Sequence, residues 1–190
     1  MTAPRIIAGS WRGRTLVTPA GTTTRPTAGR VRQAVFDMLM HAPWAERAIE
    51  GRAVLDVFAG SGALGLEALS RGAARAGFID RDRAALVAIG RNIAACKAEA
   101  VASVFGFDAL RPPPGPAHGL AHEVIFLDPP YGQGLVPAAV AALGAAGWIA
   151  PGALIVAEFG AEDAGPVGVD VLAVRAHGAA RVVFWRAVGI

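Results

Sequence analysis

Cysteine is almost missing from this chain. Cys96 stands alone, which excludes an internal disulfide and a cysteine metal cluster and fits a reducing cytoplasm. Lying in a helical stretch, it reads as a small buried hydrophobe. The four histidines (41, 118, 122 and 177) show no metal-ligand spacing. His118 and His122 follow a proline-rich loop with no partner acid, so no metal is expected. The first residues lack the apolar core of an export signal, which points to a cytoplasmic protein. Charge is absent from 135 to 157, long enough to suggest a membrane helix. Pro137, Gly144, Gly147, Pro151 and Gly152 interrupt that run. It reads as a helix, a turn at 148–152 and a buried strand, with no membrane partner.

Acids are missing from the first 36 residues, where Arg5, Arg12, Arg14, Arg25, Arg30 and Arg32 all fall. The net charge is only +3, so the basic start is a local feature suited to phosphate. Lysine is nearly absent as well, with Lys97 the sole example. A genome rich in Arg and Ala codons would give the same ratio, so position carries the argument.

A chain of 190 residues is expected to form one domain with a real core. Residues 1–27 read as a small β-hairpin extension ending in the polar linker 22–27, and 28–40 as a helix within an N-terminal helical segment, 28–50. From residue 51 strands and helices alternate. Strands are expected at 53–55, 76–79, 101–105, 124–127 and 153–158, and helices at 63–71, 84–98 and 135–146. Two last strands, 169–173 and 181–187, have no helix between them. Such alternation predicts an α/β fold with a mainly parallel sheet covered on both faces. The final two strands must be antiparallel to each other. Trp148 and Trp185 read as core, and Trp11 and Trp44 as packing residues, although Trp11 lies among arginines.

The segment Leu55-Asp56-Val57-Phe58-Ala59-Gly60-Ser61-Gly62-Ala63-Leu64-Gly65 holds a full G-x-G-x-x-G, and Asp80 follows 20 residues after Gly60. Glycines at a strand-to-helix turn let the backbone approach a nucleoside, and an acid after the next strand suits ribose hydroxyls. A nicotinamide dehydrogenase shares this fingerprint. Asp56 separates the two readings, because a carboxylate beside the helix start would repel pyrophosphate. S-adenosylmethionine carries a sulfonium and an ammonium instead of phosphate. Asp108, after the third strand, is placed for an adenine amine. The candidate cofactor residues are Asp56, Phe58, Ala59, Gly60, Ser61, Gly62, Asp80, Arg81, Asp108 and Ala109. The bland reading makes Asp80 a helix cap and Asp108 a loop acid.

Asp128-Pro129-Pro130-Tyr131 follows an apolar strand and therefore sits at its carboxyl end. An exocyclic base amine is a poor nucleophile, its lone pair being drawn into the ring. A carboxylate and a proline-flanked carbonyl can accept its two N–H groups and aim the lone pair outward. Tyr131 adds a face on which a base can stack. These four are the candidate catalytic residues.

Together the glycine segment, its continuation Leu66-Glu67-Ala68-Leu69-Ser70-Arg71-Gly72, and the Asp-Pro-Pro-Tyr turn resemble class I S-adenosylmethionine-dependent methyltransferases. Arg5-Ile6-Ile7-Ala8-Gly9, Trp11-Arg12-Gly13-Arg14, Arg25-Pro26-Thr27 and Arg30-Val31-Arg32 narrow the resemblance to the RsmD family, bacterial enzymes that methylate a guanine N2 in small-subunit rRNA. Gly29 and Gln33 depart from it, standing where Asp and Glu are expected. The resemblance implies a Rossmann-like seven-stranded sheet whose last strand inserts antiparallel, within a single methyltransferase domain whose core is 51–190. It also implies 16S rRNA or a small-subunit assembly intermediate as partner, gripped by the six N-terminal arginines. A monomer is expected. An adenine-N6 methyltransferase on DNA or RNA would use the same turn, and a catalytically silent RNA-binding or assembly protein would keep the same fold.

Overall fold

The computed structural model describes residues 3–19, 28–45, 48–116, 121–178 and 180–189. The chain runs α1 (Ala28–His41), β1 (Ala53–Val57), α2 (Ala63–Ser70), β2 (Arg75–Asp80), α3 (Arg83–Cys96), β3 (Ala102–Gly106) and β4 (His122–Leu127). It continues with α4 (Leu135–Ala145), β5 (Ile149–Gly160), β6 (Val171–His177) and β7 (Ala180–Arg186). The seven strands form one sheet in the order β3-β2-β1-β4-β5-β7-β6. Pairs from β3 through β5 are parallel, and β7 lies antiparallel to both β5 and β6. The last strand is therefore inserted between β5 and β6, and its antiparallel pairing with β6 is what the missing crossover helix requires.

Both faces of the sheet are covered, which is why β1 is buried at all five positions. On one face α1 contributes Val35, Phe36 and Leu39 against Val54, Phe126, Val156 and Phe184. Beside it Leu66 and Leu69 of α2 and Ile89 and Ile93 of α3 pack on Phe78. The opposite face sets Val136, Ala139 and Leu143 of α4 against Leu55, Ile125 and Ile155, and buries Trp148 and Trp185. Trp44 packs on Phe184, ring centroids 5.3 Å apart. Cys96 is buried and free. Gly65 permits the close approach of α2, since a Cβ there would lie 2.4 Å from the Phe78 ring.

Strands β1, β4 and β6 run past their expected bounds, β6 at 171–177 against 169–173, and two other boundaries differ for local reasons. Helix α3 stops at Cys96 because Lys97 takes the left-handed conformation and closes the helix end. Strand β5 begins at Ile149, where a turn is expected. Its pairing with β4 jumps from His122↔Ile149 to Val124↔Leu154, and Gly152 has φ of +72°. The turn exists as a bulge inside the strand. His122 packs against the parallel indole of Trp148, and burial pushes its pKa down to about 4. His118 and the linker 22–27 lie outside the described residues.

The N-terminal segment forms an antiparallel bridge, Arg5↔Thr15, rather than a full ladder. Ile6 and Leu16 are buried in the cluster built by α2 and α3. Ser70 holds the turn, its Oγ donating to Ala8 O and accepting from Trp11 N–H. Gly9 (φ +80°) is required here, because a Cβ would fall 1.7 Å from Ser70 O.

Candidate active site

Strand order reverses between β1 and β4, and the loops after these two strands open side by side there. The register Val57↔Leu127 brings the next residues, Phe58 and Asp128, to the same level. The expected glycine loop and the expected Asp-Pro-Pro-Tyr turn thus meet at one crevice.

The loop from Phe58 to Gly62 is tightly specified. Phe58 (φ +61°), Gly60 (φ +55°) and Gly62 (φ +75°) all take left-handed conformations, an uncommon state for an aromatic residue and one that marks functional turns. Gly60 N–H donates to Asp80 Oδ2 at 2.9 Å, and Asp82 N–H donates to Asp80 Oδ1. The helix cap of α3 is Asp82, which accepts from Ala84 and Ala85. Asp80 is thereby released from the capping role and faces the loop with lone pairs to spare. Gly62 leaves the start of α2 without a side-chain cap; its own N–H donates to Ala59 O and that of Gly65 to Asp56, so the first-turn N–H groups of Ala63 and Leu64 are the ones without an intrahelical partner. Ser61 O accepts from Asn92 Nδ2 at 2.8 Å.

Asp108 is half-buried beyond β3, its Oδ1 accepting from Leu110 N–H, and exposed Arg81 lies 3.7 Å from it. A pair this solvated adds little stability. Ala109 is buried beside them.

Asp56 requires a correction. It lies within β1, not at its end, is 2 % exposed, and accepts from Gly65 N–H at 2.8 Å. Direct contact with a ligand's cation is not available to it; it braces α2 against the sheet. Burial, then the charges of Asp128 and Asp80, push its pKa up to about 8 against the pull of the Gly65 hydrogen bond. The folded state therefore keeps a proton that the unfolded chain releases above the ordinary carboxyl pKa. Stability should fall by about 1.4 kcal/mol per pH unit from this group between roughly pH 4 and 8, then level off. Asp56→Asn keeps the acceptor without the charge. Its stability relative to wild type should rise through that window, as read by urea unfolding at pH 5, 7 and 8.5. A pH-independent difference would contradict the assignment.

At the acceptor turn Asp128 is exposed, Pro129 buried and Pro130 exposed. Tyr131 is half-buried, and its hydroxyl donates to Glu158 Oε1 on β5. Its Cβ lies against Gly160, where an added Cβ would approach to 3.0 Å. Asp163 ties the two segments, accepting from Gly132 N–H at 2.8 Å and Gly160 N–H at 2.7 Å. Arg181 of β7 donates to the carbonyls of Gly160, Ala161 and Asp163.

The arginines divide. Arg5, Arg12, Arg14 and Arg30 are exposed, with Arg14 also donating to Ala95 O at the end of α3. Arg25 lies outside the described residues. Arg32, expected to grip RNA, is 7 % exposed and turned inward, so it is removed from that set. Its Nη2 donates to Arg5 O at 2.6 Å, and its Nε lies 3.8 Å from Glu67. Burial lowers its pKa while the charge of Glu67 opposes the shift.

Glu67 is the centre missed by sequence reasoning. It is fully buried on α2 and accepts from Ile7 N–H (2.7 Å), Ala8 N–H (3.0 Å) and Arg71 Nε (2.8 Å). Asn92 of α3 was missed too; it bonds both backbone groups of Val17 and, through Ser61, the glycine loop. Each carries a readable signal. Glu67 is the sole charge in an apolar helix, and Asn92 falls on the face of α3 shared by Ala88, Ile89, Ile93 and Cys96.

A family model described as "Conserved hypothetical protein 95" matches residues 4–186. A ribosomal RNA small subunit methyltransferase D of Escherichia coli K12 is 41% identical over 166 residues, covering 85% of this chain and 77% of that one. Its Haemophilus influenzae counterpart is 37% identical over 158 residues, covering 81% and 77%. Among solved structures, a methyltransferase of Escherichia coli superposes with a TM-score of 0.82 at 36% identity, covering 98% of this chain and 99% of that chain.

Proposed function

The chain belongs to the RsmD family of ribosomal RNA small subunit methyltransferases, and from that premise we propose that it methylates the exocyclic N2 of a guanine in 16S rRNA, with S-adenosylmethionine as donor. The observation that carries this reading is the juxtaposition of the two loops. Leu127 pairs with Val57, so the carboxylate able to hold an amine stands beside the loop able to hold a nucleoside.

The residues present fit that donor. Asp80, half-exposed and fixed at the end of β2, suits two ribose hydroxyls, and the first-turn N–H groups of Ala63 and Leu64 at the start of α2 suit the carboxylate of the amino-acid end. Asp108, with Arg81 and Ala109 beside it, suits the adenine amine. Asp56 acts from behind the loop, bracing the start of α2 through its hydrogen bond from Gly65 N–H. Bound S-adenosylmethionine supplies a methyl group made electrophilic by its sulfonium.

The chain's own residues do the rest. Asp128 and the Pro129 carbonyl accept the two N–H groups of the amine and hold its lone pair toward the donor loop. Pro130 stiffens the turn. Tyr131, its hydroxyl fixed on Glu158, offers its ring to the base. Orientation supplies most of the acceleration, and the base must already be unpaired or leave its stack. Arg5, Arg12, Arg14, Arg25 and Arg30 hold RNA phosphates, making affinity fall with salt. We place the enzyme in the cytoplasm as a monomer acting on rRNA or an assembling small subunit.

The test is to incubate the purified chain and S-adenosylmethionine with small subunits from cells lacking the enzyme, then digest the rRNA and identify the product nucleoside by mass. N2-methylguanosine at one position is expected. N6-methyladenosine would replace guanine by adenine, and no product with any rRNA substrate would favour a silent assembly protein.

A further inference from the structure

We infer that Glu158 is the residue that selects guanine over other amine-bearing bases, by accepting the N1–H beside the reacting amine. The inference rests on the guanine-N2 reading above and gives it a physical basis in this chain's own residues.

The placement comes from the sheet. Strands β4 and β5 are parallel with Phe126↔Val156 and Leu127↔Ala157 in register. One residue further on, Asp128, just past β4, and Glu158 on β5 stand side by side, about 5 Å apart across the strands. In-register residues of parallel neighbours project to the same face, so two acids share the rim of the crevice. Glu158 is half-buried. Its Oε1 is held by the Tyr131 hydroxyl, which fixes the carboxylate plane. Its Oε2 accepts no hydrogen bond among the described residues. One oxygen is thus anchored to the stacking tyrosine while the other is left for a donor.

The chemistry of the bases decides what that donor is. Guanine presents N2–H₂ and N1–H next to each other, two donors on one edge. Adenine presents N6–H₂ beside N1, and cytosine N4–H₂ beside N3, each a donor next to a lone pair. Two adjacent carboxylates complement the first edge and repel the lone pair of the others. A charge-assisted hydrogen bond in a half-buried position is also the kind whose loss is felt most.

The experiment compares guanine with 2-aminopurine, which keeps the N2 amine and lacks N1–H, at the methylated position of 16S rRNA built by ligation and assembled into particles. Initial methylation rates and competitive binding are both measured, so a slow variant still gives a reading. Wild type should prefer guanine by about tenfold to a hundredfold. In Glu158→Ala that preference should collapse to near unity. Tyr131→Phe, which removes the anchoring hydroxyl and keeps the carboxylate, should lower the rate and retain a preference. The missing O6 of 2-aminopurine affects every variant alike, so the change in preference isolates N1–H. Guanine methylation with a preference unchanged in Glu158→Ala overturns this assignment and leaves the functional reading standing. Methylation of a different base by the wild-type protein overturns both.

Discussion

Asp128→Ala should lower methyl transfer about a thousandfold while leaving the thermal midpoint where it is. The magnitude follows from removing a preorganised group that acts on the reacting atom, a class of change that costs about 10²–10³ in rate. The unchanged stability follows from the position: Asp128 is exposed, one residue past the end of β4, and fills no part of the core. Asp128→Asn keeps one acceptor oxygen and should lose less, about ten to a hundredfold. Single-turnover rates with rRNA particles, run beside donor binding by calorimetry, separate the causes. Binding should persist in both variants. An Asp128→Ala protein that still methylates at the wild-type rate would remove the turn from the chemistry. Loss of donor binding alongside activity would place Asp128 in the cofactor site instead.

Glu67→Ala should be the most damaging single change to stability. Its side chain has no solvent contact and collects two backbone N–H groups of the N-terminal segment, Arg71 and, at longer range, Arg32. Truncation would deprive buried Arg32 of the counter-charge 3.8 Å from its Nε and strand two amides. Breaking a buried charge cluster of this kind costs about 3–5 kcal/mol, which for a chain of this length lowers the melting midpoint by roughly 8–16 °C. Glu67→Gln retains the shape and an acceptor and should sit between the two. Scanning calorimetry reads the order directly; a midpoint within about 2 °C of wild type for Glu67→Ala would show that the segment is held by Ile6 and Leu16 alone.

Most of the fold was written locally. Strand positions followed from continuous apolar runs, because both faces of this sheet are covered, and the antiparallel pairing of the last two strands followed from the missing helix between them, whereas the insertion of the last one rested on the family resemblance. The acceptor turn and Asp80 were legible because strand ends are where such sheets open. Buried charge was harder to read. Arg32 was grouped with its basic neighbours in sequence, although it lies in helical phase with Val35, Phe36 and Leu39, all buried. That phase turns it toward Glu67, a partner 35 residues away that only the folded arrangement supplies. Asp56 failed similarly, since the two further residues of β1 turn a ligand-facing acid into a buried brace. Glu158 needed the β4–β5 register before its nearness to Asp128 could be known.

The insertion of β7 also sets an order of events as the chain is made. Strand β5 carries Glu158 and Gly160, yet its outer edge pairs with β7, which emerges only after β6. While the intervening residues are being synthesised, β5 presents an unpaired edge next to a finished β4, a place that the finished sheet gives to β7 and not to β6. Arg181, which fastens the Asp163 turn, arrives on that same late strand. The donor-side loop can be in place early, whereas the acceptor side closes last. A partly made chain can therefore hold the nucleoside loop without yet presenting a finished place for a base.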